Sequence, residues 1–172
     1  MFKPTILLMA TALTLPSLAM GDTLSLPADA RVAMALVDDL TLDAETPRLD
    51  DVVMHPVHSE RGSHRLPDYC VVTGDARRNG ERVRLTASAL TCIETAGADS
   101  AIYSGELTAG AYDADGDFGL AACQGDRCRL TPDDVFVLTL TRPLSLEQQA
   151  NPSAEINARR RQHDADEAAD QP

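Results

Sequence analysis

Between Arg82 and Ala89 polar and apolar residues alternate without interruption: Val83, Leu85, Ala87 and Ala89 fall on one side of an extended chain, Arg82, Arg84, Thr86 and Ser88 on the other. A period of two does not suit a helix, so the segment specifies a strand in a sheet with one buried and one wet face. Similar short runs occur at Arg31–Val37, Val52–Val57, Tyr69–Thr73, Ala101–Thr108, Phe118–Cys123 and Val135–Thr141. Turn-forming stretches lie between them at Asp75–Gly80, Ala96–Asp99 and Asp113–Gly119, with Asn79-Gly80 and Asp115-Gly116 as the strongest turn dipeptides. The expected fold is all-β, a single antiparallel barrel or sandwich over residues 22–146.

The two ends read differently. A basic start (Lys3), an apolar stretch from Thr5 to Leu15 and small residues at Ser17, Ala19 and Gly21 form the three-part layout of a secretory signal peptide over residues 1–21. Cleavage after Ala19 or after Gly21 satisfies the small-residue rule equally well, and no cysteine follows to carry a lipid. Past Leu146 the large apolar residues almost vanish. Residues 147–172 are expected to be a mobile charged tail with a short helix over 152–162, started by Asn151 as N-cap and Pro152 at the first helical position. The triple arginine Arg159–Arg161 is followed by Asp164, Asp166, Glu167 and Asp170, which neutralise it locally.

Export changes what four cysteines mean. In an oxidising compartment they are normally two disulfides, whereas in the cytosol they would suggest metal or redox chemistry. Of the three pairings, Cys70–Cys92 and Cys123–Cys128 fit best: the first joins two expected strands, the second closes Gln124-Gly125-Asp126-Arg127. A zinc site would need two close Cys pairs or Cys interleaved with His, and the histidines stand upstream.

Charge narrows the partners. The chain has 15 Lys+Arg against 27 Asp+Glu, and removal of the signal peptide would remove its one lysine. So acidic a surface repels nucleic-acid phosphates and anionic lipid head groups, which argues against nucleic-acid binding. No apolar run after the signal peptide approaches the roughly 20 residues of a membrane-spanning helix.

Candidate ligand sites stand beside plainer readings. Asp113, Asp115 and Asp117 around Gly116 begin like a calcium loop, because alternating carboxylates converge on a hard cation. Phe118 stands where that loop needs glycine and Gln124 where it needs a bidentate glutamate, so a hairpin turn is the first reading. His55, His58 and His64 offer imidazoles to a transition metal, yet in a strand His55 and His58 would face opposite ways. No metal or cofactor is therefore expected. Ser59, Ser63 and His64 are close in sequence, but there is no Gly-x-Ser-x-Gly elbow, no Cys-x-x-Cys and no evident carboxylate pair. The expectation is a protein that is not an enzyme.

Several segments, in order, resemble the TraB/TrbI family of conjugative type IV secretion scaffold proteins. Leu66-Pro67-Asp68-Tyr69-Cys70-Val71-Val72-Thr73-Gly74-Asp75, then Glu81-Arg82-Val83, then Leu90-Thr91-Cys92 are similar to the family's Cys, Gly-Asp, Ser-Glu-Arg-Val-like element and second Cys. Leu26-Pro27-Ala28-Asp29-Ala30-Arg31-Val32 is similar to its Ile-Pro-Ala-Gly-Thr opening strand. Ser104-Gly105-Glu106-Leu107 through Asp115-Gly116-Asp117-Phe118-Gly119 resembles its Gly-Tyr-Val…Asp-Gly-x-x-Gly hairpin, and Thr131–Leu144 occupies the place of its closing strand.

The resemblance implies the family's periplasmic β-barrel, a ring-forming, non-catalytic domain of an outer-membrane core complex, with secretion or conjugation subunits and further copies of itself as partners. It also implies a truncated or accessory homologue. Set against the family's pattern, no cytoplasmic segment, no inner-membrane helix with a proline-rich spacer and no helical outer-membrane insertion is expected, the place of the last being filled by Ala121–Leu130 as a short loop. The alternative expectation is a stand-alone periplasmic or secreted module holding a small ligand or metal in the loops around 55–64 or 113–117.

Overall fold

The computed structural model describes residues 22–94, 101–113 and 115–169. The signal peptide expected over residues 1–21, the turn expected at Ala96–Asp99 and Asp170 lie outside the described residues. Eleven strands and one helix are present in the described part: β1 (Thr23–Leu26), β2 (Arg31–Leu36), β3 (Leu40–Leu42), β4 (Arg48–Pro56), β5 (Cys70–Asn79), β6 (Arg82–Ile93), β7 (Ile102–Tyr112), β8 (Cys123–Gln124), β9 (Arg127–Leu130), β10 (Phe136–Leu140), β11 (Leu144–Glu147) and α1 (Pro152–Ala169). Six of them close into a barrel in the order β10-β2-β4-β5-β6-β7. Every pairing around it is antiparallel, so barrel neighbours follow one another along the chain and β10 returns to β2.

The alternation at Arg82 does what its period requires, with one change of phase. Val83, Leu85 and Ala87 are buried, but Ala89, expected on the same face, is not; Leu90 and Cys92 are. The register shifts between Thr73 and Gly74 on β5, where Ala89 and Ala87 are their partners, so Ser88 is an extra residue in β6. Such a bulge reverses the parity of everything beyond it. Its depth shows at Gly74, where a Cβ would lie 1.9 Å from the Thr86 carbonyl oxygen.

The barrel has a filled interior. Val32, Met34, Leu36, Met54, Val72, Leu85, Leu90, Leu138 and Leu140 are at most 2 % exposed and belong to one continuous core. The β1–β11 ribbon adds Leu26 and Leu144 to that core, and the β3–β9–β8 sheet adds Leu40, Leu42, Cys128 and Leu130. Each accessory sheet thus spends its apolar side on the barrel.

Both expected disulfides are present, Cys70–Cys92 across β5 and β6 and Cys123–Cys128 across the β8–β9 hairpin.

Three further expectations need correction. The turn placed at Asp75–Gly80 shrinks to Gly80-Glu81, because Ala76 belongs to the core and carries β5 on to Asn79. The strand placed at Phe118–Cys123 is only a set of isolated bridges, Tyr112 to Phe118 and Val83 to Leu120, followed by the two residues of β8. The helix does start at Asn151, whose side-chain oxygen accepts the amides of Ser153 (3.0 Å) and Ala154 (3.3 Å), but it continues to Ala169 because Arg, Gln, Glu and Ala sustain helix. The ordered strands also reach beyond Leu146, since the Gln149 amide donates to the Ile102 carbonyl at 2.7 Å.

Candidate functional site: a groove beside β10

Two loops singled out in the sequence meet on the outside of the barrel. After β4 the chain continues alongside β2, where the Val57 amide donates to the Ala33 carbonyl and those of Ser63 and His64 to the Arg31 carbonyl. After β7 it doubles back over β6, with reciprocal backbone hydrogen bonds between Val83 and Leu120. An open groove of about 1130 Å³ runs between these segments. Val135, Phe136 and Val137 line it, flanked by His58–Arg61 on one side and Ala121–Gln124 on the other, with Tyr112 and Asp113 also contributing.

Asp113 organises the second loop. Its Oδ1 accepts the amides of Asp115 (3.0 Å) and Asp117 (2.9 Å), and its Oδ2 takes a hydrogen bond from Arg82. The same Arg82 nitrogen reaches the carbonyl of Gly119 at 2.5 Å. Phe118 packs over Gly110, its ring 5.5 Å from that of Tyr112 and 5.2 Å from the Arg84 guanidinium. The face of β6 expected to be wet is therefore partly covered at this end: Arg82 and Arg84 hold the returning chain. Sequence pattern missed this role because alternation reports which face a side chain takes, not what later crosses that face.

The Arg82 hydrogen bond, then the amides of Asp117 and Asp115, hold the Asp113 carboxyl below the ordinary carboxylate range, against the opposing effect of desolvation. A group with a lowered folded-state pKa stabilises the fold above its unfolded pKa and loses that contribution as pH falls through the folded value. Replacing Asp113 by Asn should therefore lower the melting temperature near neutral pH, with the gap to wild type constant down to the ordinary aspartate range of about 4 and closing as the pH falls below it. A pH-independent gap would refute a charge-based clamp.

The other candidates are dispersed. His58 Nε2 lies 3.3 Å from Asp68, both exposed; His64 Nδ1 lies 2.9 Å from Ser63 Oγ; and His55, on β4, has Nδ1 3.2 Å from the Pro56 carbonyl. The structure does not gather the three imidazoles, and among the described residues no three His, Cys, Asp or Glu side chains are placed to hold one ion. Asp115 and Asp117 are exposed and leave Asp113 to the turn. Ser63 Oγ accepts the Arg31 amide at 3.2 Å, which gives the Ser63–His64 pair a structural partner at the hydroxyl.

Many groove ionic groups are similarly engaged: Arg61 donates to the Val135 carbonyl (3.1 Å), Arg129 pairs with Asp39 (2.7 Å), and Asp134 accepts from the amide and hydroxyl of Thr131 (2.7 and 2.9 Å). What this arrangement offers is a polar groove with an apolar floor, suited to binding. No family model and no curated protein matches the sequence.

Proposed function

We propose that the protein is an exported, non-enzymatic interaction domain that binds subunits of a secretion or conjugation assembly, as the periplasmic barrel of the TraB/TrbI family does. The observation that carries this reading is Asp29. It stands where the family motif Ile-Pro-Ala-Gly-Thr has glycine, and its φ is 62°, in the left-handed region that favours glycine and that aspartate tolerates better than most residues. The remaining motif pieces fall on successive elements of one barrel, with the two motif cysteines directly paired across β5 and β6. The closed barrel leaves no free barrel edge, so binding falls to the groove, the outer faces and the accessory sheets. The disulfides are compatible with the oxidising periplasm, with or without attachment to an outer-membrane complex.

A second reading, a stand-alone module for a small ligand or metal, draws on one observation: the loops around 55–64 and 113–117 both contribute to the groove. Affinity purification of the tagged protein from its own envelope fraction separates the two. Secretion-channel subunits recovered in a large particle are the expected result. A small species without other proteins, stabilised against heat by an added metal or ligand through mass action, would replace the first reading by the second.

A further inference from the structure

The edges of the accessory sheets are not treated alike. β8 has two residues and is tied to β9 by the Cys123–Cys128 disulfide. β3 has three residues, with Asp38 and Asp39 before it and Asp43 after it. The first half of β4, beyond its pairing with β2, is bulged between Leu49 and Val52 and bears Asp50 and Asp51. Shortness, charge and bulges are the devices that keep a strand edge from pairing with another chain. β1 has fewer of them: Thr23-Leu24-Ser25-Leu26 is uncharged, one residue longer than β3 and in unbroken register with β11, with Asp22 just before it and Pro27 after its end.

The pairing pattern shows what that edge presents. The Gln148 amide donates to the Asp22 carbonyl at 3.0 Å. From there, alternation along the antiparallel register turns the backbone groups of Leu24 and Leu26 towards β11 and those of Thr23 and Ser25 away from it. Thr23 and Ser25 are exposed and Leu24 is half-buried. Among the described residues, no backbone hydrogen bond reaches the outward groups of these two residues.

We propose that this edge pairs with β1 of a second copy of the chain, antiparallel about a two-fold axis through Leu24. That register sets Thr23 opposite Ser25 of the second copy and the reverse, so four hydrogen bonds satisfy all four outward N–H groups and all four outward C=O groups. Leu24 then faces its own counterpart in a close, non-hydrogen-bonded pair, and Asp22 faces Leu26, so no carboxylates stand opposite each other. Self-complementarity of this kind is what an isologous contact requires. It favours a second copy over a foreign strand, whose side chains would have no built-in match. The contact is small and the chain acidic, so the dimer is weak and strengthens with salt.

This inference deepens the interaction-domain reading. The test uses protein exported to and purified from the periplasm, in sedimentation velocity from about 10 µM to about 1 mM. The expected result is a concentration-dependent dimer that Ser25→Pro abolishes without changing the melting temperature, since the amide it removes points away from β11. Leu24→Cys should form a disulfide-linked dimer in oxidising buffer, and it carries the test if Ser25→Pro does not fold. A monomer throughout the range, a dimer indifferent to Ser25→Pro, or a Leu24→Cys protein that does not cross-link would overturn the proposal. Co-purification with channel subunits is a separate readout, so either idea can fail alone.

Discussion

Replacing Gly74 by alanine should lower stability by about 3 kcal/mol or more, a fall of roughly 6–12 °C in melting temperature for a domain of this size. The added Cβ would lie 1.9 Å from the Thr86 carbonyl oxygen, 2.8 Å from the Thr86 carbonyl carbon and 2.9 Å from the Ala87 Cα. All three are backbone atoms in the middle of a closed barrel, so no side chain can swing aside; β5 and β6 must separate or lose the bulge. Gly80 is the control. It turns the β5–β6 hairpin at φ 62°, and a Cβ there would meet nothing within 4 Å. Gly80→Ala should therefore cost only the left-handed strain of about 1–2 kcal/mol. Denaturant titration of the two variants decides the matter: equal losses would mean that the close approach at Gly74 has no energetic weight.

Removing Cys70–Cys92 by a double change to alanine should cost about 3 kcal/mol from the loop it closes and removing Cys123–Cys128 about 2 kcal/mol, each with a further loss from the cavity left where its cysteines are buried. The separations are 22 and 5 residues, and a longer closed loop restricts the unfolded chain more. Burial adds a kinetic distinction. Cys70 and Cys92 are 1 % and 0 % exposed, while in the hairpin pair Cys128 is equally buried but Cys123 is half-buried at the groove and open to attack. A mild reductant acting on the folded protein should open Cys123–Cys128 first. Differential alkylation and mass mapping reads the order, and reduction of Cys70–Cys92 before the hairpin pair would contradict the burial argument.

The parts legible in the sequence were those in which each residue carries its own signal. Alternation marked β2, the later part of β4, the start of β5, β6, β7 and β10, so every barrel strand in part, and the cysteine pairing followed from two expected strands for Cys70–Cys92 and from a short turn-forming loop for Cys123–Cys128. Asn151-Pro152 marked the helix start because capping is local chemistry. β1, β3, β9 and β11 were not marked. With three or four residues each, they are too short to show a period, and what makes them strands is a partner distant in the chain, as for Leu26 opposite Leu144.

The candidate site divides the same way. Asp113–Gly119 could be read as a turn, because turn chemistry is written in adjacent residues, while the segment from His55 to His64 showed only candidate ligand types. That both border one groove could not be read, since Arg61 meets Val135 and Arg82 meets Asp113 only once the barrel has closed. By itself the sequence determined strand class, disulfide partners and the acidic surface, for periodicity, thiol placement and charge count need no fold. Tertiary structure alone decided the bulge that demands Gly74, the clamp at Arg82, the groove and the outward edge of β1. Each depends on where one segment's backbone passes another, and residues far apart in the chain acquire that relation only when strands pair.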